Sequence, residues 1–584
     1  MKALNNQLDL LVRKLVLENA LRYGGKAKAD PVMGKLLSAR PDLKTSTKEL
    51  KKTVGRIVTE INAIPLSKQK ELAAENWPEL LVHEKPKPKK KVLPPLPNVE
   101  KYSLIHTRFC PNPDGALHVG GARAAVLSDE YAKEYGGRFT LRFDDTDPRT
   151  KSPILEAYDW IREDLRWLGV KWDSEVYQSD RMPVYYAYAE KLFSMGAAYV
   201  CNCDPENFRK LIVEKAGCPC RGLPPEGHLS RWHRMLDGTY REGEVVARIK
   251  TDLDHPNPAV RDWPALRIID TKDHPHPRMG DKYRVWPLFA YCSGIDDHDL
   301  QISHILRGKE HLTNTTRQLY LYSHFGWNYP EAIHYGRLKI IGSTLSKSKI
   351  REGIEKGVFS GWDDPELGTL MALRRRGIAP ETIRQIMVEV GPRPVDATLS
   401  WENIYAINRK RLDPVANRYF VVIDPVKMTV RSLGKKSYIS KLPLNPSRKD
   451  AGYRTLKVTA SDDMATLYIS KNDLDLLRSN RIVRLMGLFN IEVNNVGSNE
   501  VEARFHSEAY MEARKLAASL IHWLPQEGVV KVRVVMPSAS VLEGYGEANI
   551  MAENVGSVVQ MERFGFGRID SKLIDQATLY YAHR

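Results

Sequence analysis

The chain has 584 residues and a mass of 66.5 kDa, with 42% apolar and 27% charged side chains; at about 150 residues per domain this is roughly four domains, each able to bury its own core. Lys and Arg outnumber Asp and Glu by 88 to 72, a net charge of +16, which points to a polyanion such as nucleic acid or to an acidic membrane surface. No apolar run approaches the roughly 20 residues that span a bilayer, and six cysteines are too few for a disulfide-built secreted scaffold, so membrane-spanning, secreted-miniprotein and fibrous classes are excluded and a cytoplasmic location is expected.

In chain order, Leu4, Leu8, Leu11 and Leu15 recur at helical spacing, and Ile57, Ile61 and Ile64 do so again. Asn5, Asp9, Arg13 and Lys14 break up the first run, so it reads as an amphipathic helix and not as a signal peptide. Residues 1–83 are predicted to form a small helical domain. Residues 84–101 alternate Pro with Lys (Lys85, Lys87, Lys89) and continue into Lys90 and Lys91. That composition supports neither a helix nor a central strand and predicts an extended tether, either a solvated spacer or a contact for RNA. Over residues 102–199 short strands (103–109 and 138–143) flank a helix (122–135), a strand–helix–strand unit that implies a parallel sheet. Residues 200–284, rich in Pro, Gly and His, form an insertion with two strand-like stretches, 245–249 and 265–269. The sheet is expected to resume near Trp286 and to run through 285–336. Residues 337–411 read as helical, including 366–376 and 380–390. Residues 412–584 carry β-branched runs separated by turns and predict antiparallel β-barrels, interrupted by one helix over 508–523.

Two constellations carry chemistry. In Arg108-Phe-Cys-Pro-Asn-Pro-Asp-Gly-Ala-Leu-His118-Val-Gly-Gly121 a strand ends, a Pro/Gly loop turns, and His118, Gly120 and Gly121 fall on the first turn of the next helix. Glycines there let backbone N–H groups approach a phosphate, and the helix N-terminus adds partial positive charge. In the insertion, Cys201, Cys203, Cys218 and Cys220 form two close thiol pairs, either ligands of a tetrahedral structural zinc or two reduced pairs without metal. Cys110 and Cys292 are isolated and read as small buried hydrophobes. Trp160, Trp167 and Trp172 sit at helical spacing and read as core. Arg374-Arg-Arg376 and Arg409-Lys-Arg411 are either a face for RNA phosphates or solvated cations.

The region from Arg108 to Gly121 resembles the His-Ile-Gly-His signature of class I aminoacyl-tRNA synthetases, in the form of the glutamyl/glutaminyl branch. Three further blocks resemble that branch in order: Leu141-Arg-Phe-Asp-Asp-Thr-Asp-Pro148, the segment from Trp286-Pro-Leu-Phe to Ile305-Leu-Arg-Gly-Lys-Glu-His311, and Thr344-Leu-Ser-Lys-Ser348, which is similar to the Lys-Met-Ser-Lys-Ser loop. The resemblance implies a Rossmann-like catalytic domain split by an acceptor-binding insertion, a helical connector, and two C-terminal barrels that bind the anticodon, as in archaeal glutamyl enzymes. It implies ATP with Mg2+, glutamate and tRNA(Glu) as substrates, with tRNA(Gln) an open second acceptor, and a monomer without a membrane partner. His118 and Lys347 are implied to be catalytic; His118, Gly120, Gly121, Leu345, Ser346, Lys347 and Ser348 to hold ATP. Thr344 stands where the family has its first loop lysine, so the charge rests on Lys347. For glutamate, Asp144 is implied to receive the α-ammonium, Arg108 to face the carboxylates, and Arg307 to fork onto the side-chain carboxylate. An ion pair of Arg307 with Asp297 or Glu310 is the alternative. Phe289 replaces a family tyrosine, and Tyr291 is expected to supply that hydroxyl. Some glutamyl enzymes carry similar cysteine pairs, which favours zinc. The rival readings are a glutamine–tRNA ligase, a small-molecule adenylating enzyme and a non-catalytic RNA-binding protein.

Overall fold

The computed structural model describes residues 2–40, 47–80, 93–343 and 345–584, so the Pro/Lys run of the expected tether and Thr344 lie outside the described residues. The chain divides into two compact units, Met1–Lys91 and Val92–Arg584. The first unit is helical: α1 (Lys2–Arg22), α2 (Ala29–Ala39), α3 (Thr47–Asn62) and α4 (Leu66–Asn76). Leu50, Val54, Ile57 and Ile61 form one buried stripe along α3 and meet Val12, Val16 and Ala20 of α1. Buried Gln69 donates from its amide to the carbonyls of Gly25, Ile61 and Ile64, tying the helix ends together.

The second unit is built on parallel strands β1 (His106–Phe109), β2 (Arg138–Phe143) and β3 (Ser174–Tyr177), with α5 (Val119–Glu134), α6 (Leu155–Trp167) and α7 (Met182–Ser194) in the connections and after β3. The predicted crossover helix and its two strands appear where the alternation placed them, α5 starting three residues earlier because His118 caps it. The insertion forms a four-stranded antiparallel sheet in the order β4 (Ala198–Cys201), β5 (Val246–Ile249), β6 (Pro264–Ile268) and β7 (Val285–Pro287), with α8 (Pro205–Val213) and α9 (Pro225–Leu236) on it. Here the expectation is corrected. Trp286 does not reopen the parallel sheet; it pairs with Arg267 in the insertion and packs with Trp232 and Trp263. After α10 (Phe289–Asp299), the parallel partner is β8 (His304–Gly308), joined to β1 where the Ser303 N–H donates to His106 O at 2.9 Å. After α11 (Leu312–Phe325), β9 (Glu331–Tyr335) pairs with β8 in parallel.

The later part of the expected tether is not a free spacer but packs on the catalytic sheet and its helix. Leu93 and Leu96 are buried beside Ile105, Leu127 and Tyr131, and the Tyr131 hydroxyl donates to Pro94 O at 2.8 Å. The connector helix expected over 366–376 starts only at Leu370, because Thr369 accepts the Ala372 N–H as its cap.

Both C-terminal sheets are seven-stranded and curl until their two edges are formed by one stretch of chain. Arg418–Tyr419 pairs on one edge with Gln560 and Met561, while Val421–Ile423 pairs on the other with Gly544–Gly546. In the other sheet Ser519–Ile521 and Leu524–Pro525 do the same, against Val483–Leu485 and Leu467–Tyr468. Closure of this kind leaves little unpaired edge. The sheets are rich in antiparallel pairs but include parallel ones, and the helix expected over 508–523 is only Tyr510–Lys515. Ala517 turns into the left-handed region (φ 49°) and Ser519–Ile521 becomes an edge strand. No described helix is long and apolar enough to cross a membrane.

Candidate active site

The C-terminal ends of β1 and β8 and the N-terminus of α5 border a cleft of about 700 Å³. Its place follows from the topology, since β2 and β8 lie on opposite sides of β1 and the connections diverge there, which opens a crevice at the strand ends.

One wall is the nucleotide-type loop. Gly115 adopts φ 152°, and a Cβ there would lie 2.3 Å from the Trp362 ring, so the turn needs glycine. His118 caps α5, its Nδ1 accepting the Gly121 N–H at 3.3 Å. An acceptor at Nδ1 leaves the ring proton on Nε2. Burial, with Lys347 adding to it, lowers the His118 pKa to about 4, so the ring is a neutral donor at physiological pH. Gly120 lines the cleft, and a Cβ on it would lie 2.9 Å from the His118 ring. The Gly121 amide, expected to face a phosphate, is spent on His118 O (2.9 Å) and Nδ1 instead.

Across the cleft, Lys347 opens a helix, Lys347–Glu355, and its Nζ donates to Asn112 O and Asp114 Oδ1, both at 2.8 Å. Burial lowers its pKa and Asp114 opposes that shift. Leu345 and Ser343 line the cleft beside it. Ser346 and Ser348 are exposed and lie with their hydroxyls 3.0 Å apart; the structure does not bring these two expected contacts to the cleft.

The floor is ionic. Arg108 forks onto Asp297 through Nε and Nη2, both at 3.0 Å, and Arg142 donates from Nη1 to Asp297 Oδ1 at 3.0 Å and from Nε to Asp144 Oδ1 at 2.8 Å. Burial pushes the Asp297 carboxyl up, but Arg108 and Arg142 outweigh it and hold the group below its ordinary range. Burial raises Asp144 to about 6, with Arg142 opposing. Arg307, near the end of β8 and 5% exposed, is held differently. Its Nη1 donates to Gln318 Oε1 (3.0 Å) and its Nη2 to Tyr329 Oη (2.7 Å) and Thr315 Oγ1, while Nε has no partner. Among the described residues no carboxylate forms an ion pair with Arg307, so the alternative partners do not hold: Asp297 is engaged by Arg108 and Arg142, and Glu310 by Arg337 at 4.0 Å. Burial lowers the Arg307 pKa.

Tyr291 is not brought to the cleft. It is fully buried and donates to Tyr185 O at 2.8 Å. Positions 289 and 291 stand about 200° apart around α10, so the helix that turns Phe289 into the cleft turns Tyr291 into the core. Phe289 packs on His311 with ring centroids 5.0 Å apart. Cys292 is buried as expected, whereas Cys110 lines the cleft. Sequence reasoning missed Arg142 and Gln318; an arginine between Leu141 and Phe143, just before the Asp144-Asp145 pair, was the available signal for the first.

The arginine clusters are largely committed within the protein. Arg375 forks onto Asp570 (3.2 and 3.1 Å), Arg376 donates to Ala582 O (3.1 Å) and the Tyr405 hydroxyl (2.6 Å), and Arg411 donates to Gln385 (2.7 Å). Trp167 and Trp172 pack on the core of the catalytic sheet, and Trp160 faces Trp362. In the insertion, Sγ of Cys201 and Cys218 are 3.8 Å apart, those of Cys203 and Cys220 3.7 Å, and all four lie within 4.8 Å of one another. A tetrahedron with metal–sulfur bonds of about 2.3 Å has edges of about 3.8 Å, so the thiols fit a zinc-sized ion and are too far apart for disulfides.

The profile of the family described as tRNA synthetases class I (E and Q), catalytic domain, matches residues 104–414. Two anti-codon binding domain profiles of the same group match 416–508 and 520–570. A glutamate–tRNA ligase of Pyrococcus furiosus is 51% identical over 99% of this chain and 100% of its own length, and one of Methanopyrus kandleri is 45% identical over 99% of each. A crystal structure of a glutamate tRNA ligase from Elizabethkingia meningosepticum aligns with 54% of this chain and 70% of that one at 22% identity and a TM-score of 0.39, too slight a likeness to carry an argument. Strand-end cleft, capped histidine, lysine loop and curled C-terminal sheets coincide with these whole-length matches, and the chain belongs to the class I tRNA synthetases of the glutamate and glutamine group.

Proposed function

We propose that the chain is a glutamate–tRNA ligase, which uses ATP to form glutamyl-adenylate and pyrophosphate and then transfers the glutamyl group to the 3′ end of tRNA(Glu). One observation carries the choice of amino acid: Arg307 is a buried guanidinium in the cleft with neutral partners only. A buried cation of this kind favours an anionic ligand group and disfavours a neutral amide.

In this reading the glutamate α-carboxylate attacks the α-phosphate of ATP, a displacement governed by positioning and charge neutralisation. Neutral His118 donates from Nε2 to a phosphate oxygen beside Gly120. Lys347 moves from Asp114 to the pyrophosphate as negative charge builds there. Leu345 packs on the nucleotide, and Mg2+ accompanies ATP as part of the substrate. Asp144 receives the α-ammonium, Arg307 the side-chain carboxylate, and Arg108, through its remaining Nη1, the α-carboxylate. Phe289 supplies an apolar wall where a hydroxyl was expected. The four thiols hold a structural zinc that stiffens the start of the insertion and takes no part in the chemistry; metal analysis is expected to give about one zinc per chain, and a folded, metal-free preparation rejects the site.

The insertion receives the acceptor end and the two curled sheets the anticodon, whose splayed bases such surfaces can read. The N-terminal unit aids tRNA binding. Residues 1–91 hold twenty Lys and Arg against ten Asp and Glu, so ten of the sixteen excess charges lie there. The enzyme acts as a cytoplasmic monomer, with tRNA(Gln) as a second acceptor to be tested. The experiment is ATP–pyrophosphate exchange in the presence of tRNA, followed by aminoacylation of tRNA(Glu) and tRNA(Gln), with glutamate and glutamine supplied separately. Glutamate-dependent exchange and charging are expected; charging with glutamine alone establishes the rival ligase, and no exchange with either rejects catalysis.

A further inference from the structure

Gln318 is a fully buried side chain on α11, outside the four sequence blocks that resemble the family but in contact with one of them. All four of its hydrogen-bonding positions are used. Oε1 accepts from Arg307 Nη1 (3.0 Å) and from the Tyr329 hydroxyl (2.7 Å); Nε2 donates to Ala290 O (3.2 Å) and Ser293 Oγ (2.7 Å). Only a primary amide offers two acceptor and two donor positions in this shape. A carboxylate would satisfy Arg307 and Tyr329 equally well, but it would lose both donors on the α10 side.

The contrast with the neighbouring cations gives this its meaning. Arg108 and Arg142 share Asp297, and Arg142 also holds Asp144. Arg307 lines the same cleft, yet the atoms placed at hydrogen-bond distance from its guanidinium are the Gln318 amide oxygen and the hydroxyls of Tyr329 and Thr315. These fix the plane of the fork without neutralising it, and they leave Nε bare. A protein carboxylate in the place of Gln318 would fix the same plane and cancel the charge that the substrate is to meet.

We infer that Gln318 is a specificity-determining positioning residue: it orients Arg307 through a neutral acceptor and so keeps the guanidinium's charge available for the substrate's side-chain carboxylate. The inference rests on the proposed glutamate–Arg307 contact and extends it to a residue that does not touch the substrate. It predicts that discrimination between glutamate and glutamine responds to position 318 through Arg307 alone.

The test measures KM and kcat for glutamate and for glutamine, and KM for ATP, in tRNA-dependent pyrophosphate exchange with Gln318→Glu, Gln318→Met, Arg307→Ala and the double variant Arg307→Ala/Gln318→Met. Gln318→Glu is expected to raise the glutamate KM at least 30-fold and to reduce the preference for glutamate over glutamine by a similar factor, with the ATP KM changed less than 2-fold. Gln318→Met, which adds no charge and removes the acceptor, is expected to raise the glutamate KM about 5-fold; on the Arg307→Ala background the same change is expected to add nothing, which a merely structural role would not produce. If Gln318→Glu fails to fold, the Met pair alone decides. A folded Gln318→Glu protein with unchanged glutamate preference, or a Met effect that persists without Arg307, overturns the inference. If Arg307→Ala itself leaves the glutamate KM unchanged, the underlying assignment of the substrate carboxylate falls and the inference falls with it; a large Arg307→Ala effect beside an inert position 318 removes the inference alone.

Discussion

Buried charge is handled in opposite ways at the two ends of the second unit. Where the C-terminal sheets meet, Arg454 is 3% exposed and its Nε donates to Glu547 Oε1 at 2.9 Å, with Nη1 on Pro443 O at 2.7 Å. The same Glu547 oxygen accepts the Phe420 N–H at 2.6 Å, at the residue between the two edge strands that close one sheet. The charge there is balanced inside the protein. In the cleft, Arg307 is as buried but faces amide and hydroxyl oxygens. Both guanidinium groups have lost much of their hydration. The difference teaches that burial of a cation is not itself a sign of function, and neither is a neutral partner alone, since Arg376 is as buried on Ala582 O and the Tyr405 hydroxyl; Arg307 combines a missing counter-ion with a place in the cleft.

The largest expected effect tests the barrel side of this comparison. Arg454→Ala strands the Glu547 carboxylate and is expected to cost about 3–5 kcal/mol of stability in urea unfolding, with exchange activity per folded molecule unchanged; a loss under about 1 kcal/mol would erase the contrast. Next, Lys347→Ala is expected to slow adenylate formation about 10²–10³-fold, the scale of losing one preorganised charge contact to a transition state, with the dissociation constant for tRNA unmoved. Equal losses in both would place Lys347 in RNA binding instead. Arg307→Ala comes third. It is expected to raise the glutamate KM about 100-fold, or about 2.7 kcal/mol, with little change in the ATP KM, and to leave unfolding in urea within about 1 kcal/mol because no protein carboxylate is stranded. Comparable destabilisation by Arg307→Ala and Arg454→Ala would show that the two cations play the same structural part.

The smallest effect is in pH. Asp144, raised to about 6 by burial, loses its charge as pH falls through that value. If Asp144 has its proposed role, the neutral carboxyl no longer balances the substrate ammonium, and kcat/KM for glutamate is expected to fall about tenfold per unit below pH 6 and to be level above it. His118, lowered to about 4, stays neutral throughout, so the ATP KM is expected to be flat from pH 8 to 5.5. The acid limb should vanish in Asp144→Asn; a limb that persists there belongs to another group.

Much of this was legible before any coordinates. The Pro/Gly loop, the helix after it and the lysine loop could be placed because their signals are local: φ-tolerant glycines, a cap, and a run of period 3.6. The thiol cluster was legible by spacing. What escaped was the outcome of competition between elements. The segment at Trp286 carries a strand pattern that suits either sheet, and only the position of β8 against β1 assigned it to the insertion. The helix expected over 508–523 lost its second half to edge pairing with Val483–Leu485. Tyr291 was misplaced by counting residues from Phe289 without asking which way each faced around α10.

The sequence by itself determined which reactive groups are present: a Pro/Gly loop with His118, the lysine of the Thr344–Ser348 segment, a guanidinium near a strand end and four thiols in pairs, because residue identity and short spacing suffice for these. Tertiary structure alone decided which arginine is already neutralised. Arg108 and Asp297 lie 189 residues apart and Arg142 and Asp297 155 apart, and no local rule matches charges over such separations. Pairing of that kind is settled when strands and helices pack and water leaves, so only the folded chain shows that Arg307 stands in the cleft without a protein counter-ion.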